Sequence, residues 1–93
     1  MTAATYSRKL VAEWSDRMAV GIWDNTYWSV RLYADRAIAR LPYVKWINNS
    51  GSLEYRTERL TGKALDTLLA IAEQQVADDA DYTERVKRIV WDM

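Results

Sequence analysis

The chain contains no cysteine and no histidine. The first absence removes disulfides and thiolate metal sites together and leaves no trace of a redox compartment. The second removes the commonest general base and the commonest metal ligand, so any metal site would have to use hard oxygen ligands alone. Glycine occurs three times, at the scattered positions Gly21, Gly51 and Gly62, so no glycine-rich phosphate loop is present. Thr61-Gly62-Lys63 matches only the end of such a loop, whose earlier glycine is missing. No apolar run approaches the roughly 20 residues that span a bilayer. Arg8 and Lys9 are followed by Glu13, Asp16 and Arg17 rather than by an apolar segment, which is not the pattern of a signal peptide. The expectation is therefore a soluble cytoplasmic protein without a membrane partner, in which the Asn48-Asn49-Ser50 sequon carries no meaning.

Phenylalanine is also absent, yet there are five tryptophans and six tyrosines. Every aromatic thus pairs an apolar body with a polar handle, the type enriched at interfaces. Arginine outnumbers lysine nine to four beside twelve alanines, a usage that points to GC-rich codons and a bacterial or phage genome. The 93 residues fit one globular domain, 1–93, able to bury about 60–70% of its unfolded surface.

Periodicity predicts a mainly helical fold of the α+β class. It has four helices, with a short β-hairpin inserted between the second and third. Tyr6, Leu10, Trp14 and Met18 recur every fourth residue, which reads as a helix from about 5 to 20 stopped by Gly21. Tyr27, Val30, Ala34, Ala37, Ile38 and Leu41 follow three- and four-residue spacing, giving a second helix over 27–40 that ends before Pro42. Over 28–33 a strand competes, because Trp28, Val30 and Leu32 alternate with Ser29, Arg31 and Tyr33. The segments 43–47 and 53–57 flank a polar loop containing Gly51 and form the hairpin. Leu65, Leu68, Leu69, Ala72 and Val76 mark a helix over 62–77 with Thr61 as its cap. Tyr82, Val86, Ile89, Val90 and Met93 mark a last one. The expected core is Leu10, Trp14, Met18, Ile38, Leu65, Leu68, Leu69, Val86 and Val90.

Chemical motifs are sparse. Asp78-Asp79-Ala80-Asp81 lacks the alternating oxygens, glycine and terminal glutamate of a calcium loop, and capping of the last helix accounts for it. Glu54 and Glu58 sit among Arg56 and Arg59, where salt bridging on a solvated face is simpler than acid–base catalysis. The chain is expected not to be an enzyme and to need no metal or cofactor.

Charge is uneven along the sequence. Residues 27–63 hold seven basic against three acidic side chains, net +4, and residues 64–93 hold three against seven, net −4. The basic middle also carries Tyr27, Trp28, Tyr33, Tyr43, Trp46 and Tyr55. The leading expectation is a non-catalytic protein–protein binding module anchored by Trp28, Trp46 and Arg31 and supported by Trp23 and Tyr43. In size, composition and lack of family motifs the chain resembles the small proteins that bacteriophages and mobile elements encode to bind and modulate one host protein. Two alternatives stand beside it. One is a nucleic-acid-binding accessory protein using the basic, aromatic segment 27–63; the other is a structural subunit of a homo-oligomer, such as a homodimer. With no cysteine or histidine, exhaustive dialysis against a chelator is expected to leave the far-UV circular dichroism spectrum unchanged. A lost fold would overturn the metal-free reading.

Overall fold

The computed structural model describes residues 9–77 and 82–91. Four strands run in order, β1 (Ala12–Val20), β2 (Trp23–Leu32), β3 (Ala37–Ile47) and β4 (Ser50–Leu60), followed by α1 (Gly62–Ala77) and α2 (Thr83–Trp91). Each strand pairs antiparallel with the next, so the sheet is a meander ordered β1-β2-β3-β4. The four-helix domain predicted from spacing is thus replaced by an antiparallel sheet with two helices, and the protein is not mainly helical.

The reason lies in the arithmetic of periods. A spacing of four residues is one helical turn, but it is also two strand repeats. Leu10, Trp14 and Met18 satisfy both, and the strand β1 takes the place of the expected first helix. Over 28–33 the alternation Trp28, Val30, Leu32 is the one realised, so the competing strand reading holds there, and β2 and β3 replace the helix predicted over 27–40. Ala37, Ala39 and Leu41 continue it on β3 as inward residues. Alanine-rich composition there reflects small side chains in a packed sheet rather than helix propensity. Pro42 terminates nothing: it lies buried within β3. It follows closely on Arg40, the last β3 residue paired with β2. A residue without an N–H cannot extend a ladder on both sides of a central strand.

The predicted hairpin exists, with longer strands and a tighter turn than the spacing gave. Ile47 pairs with Ser50 across Asn48 and Asn49, which have φ of 50° and 65°. Left-handed backbone at both central residues is what a type I′ turn needs, and asparagine tolerates it better than most residues. Between β1 and β2 the turn is Gly21-Ile22, with Gly21 at φ +59°. Just beyond it, Asp24 and Asn25 stand opposite the single residue Ala19, a bulge in β2. The Asp24 carbonyl accepts a hydrogen bond from Arg17 Nε at 2.9 Å, and the Thr26 hydroxyl donates to the Met18 carbonyl.

Both helices cover one face of the sheet. From the strands come Trp14, Trp28, Val30, Leu32, Ala37, Ala39, Leu41 and Leu60; from α1 come Leu65, Leu68, Ile71 and Ala72, and from α2 Val86 and Val90. The molecule is 19 Å along its shortest axis, which accommodates one helical layer on one sheet. Trp14 Nε1 donates to Gln75 Oε1 at 2.8 Å, tying the edge strand to α1. Among the described residues the indole N–H groups of Trp28 and Trp91 are buried without an acceptor. Of the expected core, Trp14, Leu65, Leu68, Val86 and Val90 are buried and Met18 and Leu69 partly so. Leu10 is exposed, and Ile38 points to the opposite face of the sheet. Both helices predicted from spacing at the C-terminal end are present, the first starting directly after Thr61. Tyr6, the Asp78–Asp81 cluster and Met93 lie outside the described residues.

Leu68→Ala is expected to cost about 2–5 kcal/mol of stability, read from the chemical unfolding midpoint, because the side chain is enclosed between helix and sheet. Asn49→Val is expected to cost about 1–2 kcal/mol without touching the core, since a β-branched residue is forced into the left-handed region.

Candidate functional site on the open sheet face

Alternation along four strands that are covered on one side leaves a second set of side chains facing away from the helices. On that face stand Glu13, Ser15 and Arg17 of β1, and Tyr27, Ser29 and Arg31 of β2. Ile38, Arg40, Pro42, Val44 and Trp46 of β3 follow, with Arg59, Thr57, Tyr55 and Leu53 of β4 opposite them. No described helix covers this side. Its charged groups are four arginines and one glutamate, net +3, in a chain whose net charge is zero.

The face has two regions of different chemistry. Near the paired ends of β2 and β3, a depression of about 420 Å³ crosses all four strands. It is lined by Glu13, Ser15, Ser29, Arg31, Ile38, Arg40 and Thr57. Arg31 Nε donates to Glu13 Oε2 at 2.8 Å. That hydrogen bond, together with the charge of Glu13, raises the guanidinium pKa further above its already high ordinary value. Arg40 lies over the Tyr55 ring, 4.0 Å from its centroid, so the cation and the ring hold each other in place.

At the far end the two hairpin tips meet around an apolar cleft of about 250 Å³, lined by Gly21, Ile22, Trp23, Val44, Trp46 and Gly51. Two glycines make the meeting possible. A Cβ at Gly21 would stand 3.3 Å from Val44 Cγ2, and one at Gly51 would stand 3.0 Å from the Trp46 ring. The Trp46 indole lies over Gly51, its cross-strand partner, where a side chain would crowd it. Ile22 is 88% exposed and Trp46 69%; Ile47, 57% exposed, alternates onto the side opposite Trp46.

The five residues expected to bind a partner are distributed unevenly over this architecture. Trp23 and Trp46 line the apolar cleft together. Arg31 belongs to the polar depression instead. Tyr43 is exposed, but alternation on β3 puts it on the side opposite Trp46. Trp28 is wholly enclosed in the core, facing the helices with Val30 and Leu32. A shared helical face for Trp28 and Arg31 is ruled out by the strand: residues three apart on β2 point to opposite faces. Sequence reasoning missed Ile22, the most exposed large apolar side chain described. The available signal was an isoleucine inside a two-residue turn, where it has no strand neighbour to pack against.

A third depression, about 620 Å³, lies between α1 and β1 and is lined by Val11, Ala12, Leu69 and Ala72 with Glu13, Glu73 and Gln75. Among the described residues no three acidic side chains converge as a metal site would require, and no helix is long and apolar enough to cross a membrane. Compared with known proteins, the chain matches no family model, no curated protein and no solved structure.

Trp28 and Trp46 should separate cleanly in their effect on stability. Trp28→Ala is expected to lose about 3–5 kcal/mol, the range for emptying a buried aromatic site. Trp46→Ala is expected to stay within about 0.5 kcal/mol of the wild type. Equal unfolding midpoints for the two variants would contradict this burial pattern.

Proposed function

We propose that the protein is a non-catalytic binding module whose protein-docking surface is the apolar patch at the two hairpin tips. The observation that carries this reading is the exposure of Ile22 and Trp46 around a formed apolar cleft. The core is complete without them, so their exposure is not explained by stability. Large apolar side chains gathered on a surface, with tryptophan among them, are the usual anchors of protein interfaces. Trp23 supplies the second indole of the cleft. Arg31, Tyr43 and Trp28 are not part of this patch.

The partner is taken to be a different protein, in keeping with the expected role of binding and modulating one host protein. Its complementary feature would be an apolar protrusion able to enter a cleft of this size. The test compares capture of proteins from the source cells by the wild-type chain, by Trp46→Ala and by Gly51→Ala. Each is first shown to be folded by circular dichroism. Loss of an exposed anchor is expected to weaken the captured complex by about 2 kcal/mol or more. Gly51→Ala is expected to weaken it as well, because the added methyl would stand 3.0 Å from the Trp46 ring and push the indole from its seat. Undiminished capture by both variants would place the interface elsewhere. If sedimentation shows a wild-type dimer that both variants abolish, the occupant of the patch is a second copy of this chain.

A further inference from the structure

We infer that the polar half of the open sheet face is a platform for single-stranded nucleic acid. The arginines hold phosphates there, and Tyr27 and Tyr55 stack against bases. This goes beyond the protein-docking patch and rests on different side chains. Four observations carry it. The four arginines Arg17, Arg31, Arg40 and Arg59 come from β1, β2, β3 and β4 and face the same way, against Glu13 alone. That gives this face +3, while the other described residues balance to zero, so the positive excess of the described residues lies on this one surface. Tyr27 is 51% exposed on β2, with its ring available to solvent. Arg40 stacked on Tyr55 at 4.0 Å presents a cation and a ring as one unit.

The shape selects the ligand further. The depression among Glu13, Ser15, Ser29, Arg31, Ile38, Arg40 and Thr57 runs across the strands, and its three hydroxyls add donors and acceptors between the cations. Neighbouring strands are about 4.8 Å apart, so the full width of the sheet accommodates only a few nucleotides. A duplex buries the faces of its bases in its own stack and would use only the charge. An unpaired strand can use the charge and the rings together. An acidic protein segment would likewise use only the charge. Cations and rings side by side therefore favour a single strand over both.

The test uses the full chain and fluorescein-labelled single strands of about a dozen mixed-sequence nucleotides, as DNA and as RNA, followed by fluorescence anisotropy. Binding is expected at low ionic strength and should weaken as salt is raised from about 50 to 200 mM. Replacing both Arg31 and Arg40 by glutamine is expected to flatten the slope of log affinity against log salt by about 0.7 for each phosphate no longer neutralised. Tyr27→Ala is expected to weaken binding about tenfold, and Tyr27→Phe, which keeps the ring, to restore it. Trp46→Ala should leave strand binding unchanged, so failure of this proposal and failure of the protein-docking patch are read separately. Four results would overturn it: no anisotropy change at the lowest salt, equal affinity for a duplex of the same length, indifference to the arginine and tyrosine substitutions, or displacement by polyglutamate at matched charge. The last would mark the face as a general polyanion surface.

Discussion

Two helices of this length can cover only one face of a four-stranded sheet, and the rest of the structure follows from that. The strands form a meander of consecutive hairpins, so both helices arrive after the sheet is complete and pack on the same side. Burying Leu65, Leu68, Ile71, Val86 and Val90 against Trp28, Val30, Leu32 and Leu41 supplies the main apolar contact of the fold. Small residues at Ala37 and Ala39 let the large side chains of β2 and the helices share the same layer. The opposite face stays uncovered, with arginine, serine, threonine and tyrosine over its polar half and Val44, Trp46 and Leu53 toward the hairpin tips.

The second constraint is where the ladder between the two hairpins stops. β2 and β3 pair only from Ser29 to Leu32 against Ala37 to Arg40, although both strands run well beyond. Past that point side chains shape and join the hairpins: Arg17 and Thr26 close the bulge, and Gly21 lies against Val44. The outer face is consequently divided. Its ladder-paired part is a polar, cationic depression; its distal part is a cleft between two tips. Two surfaces of different chemistry thus arise from one sheet, and the protein-docking and strand-binding proposals each occupy one of them.

Several elements were legible in the residues before any geometry. The helix over 62–77 matched because its apolar spacings of three and four residues cannot all be met by a strand. The hairpin around Asn48 and Asn49 was legible from its turn chemistry, though its two-residue turn is shorter than the polar run through Ser50-Gly51-Ser52 suggests. The first half misled because Leu10, Trp14 and Met18 sit four apart, a distance common to both periods. Ala34, Ala37 and Ile38 added a helical bias that tertiary packing overrode. Trp28 was misplaced for a related reason: three residues separate it from Arg31, which is one face of a helix and two faces of a strand.

By itself the sequence determined the chemistry that is possible. Without cysteine or histidine it left no thiol or imidazole for a site, and it concentrated arginine and aromatics between residues 27 and 63. It also determined the two C-terminal helices, whose periodicity is local. Only the tertiary structure decided which indoles are core and which are surface. The reason is physical: the face on which a strand residue lies depends on register and on which side the helices land. Both are set by contacts between residues far apart in the chain. Trp28 and Trp46 are the same residue type in the same basic segment, yet one is fully enclosed beneath α1 and α2 and the other lies open across Gly51.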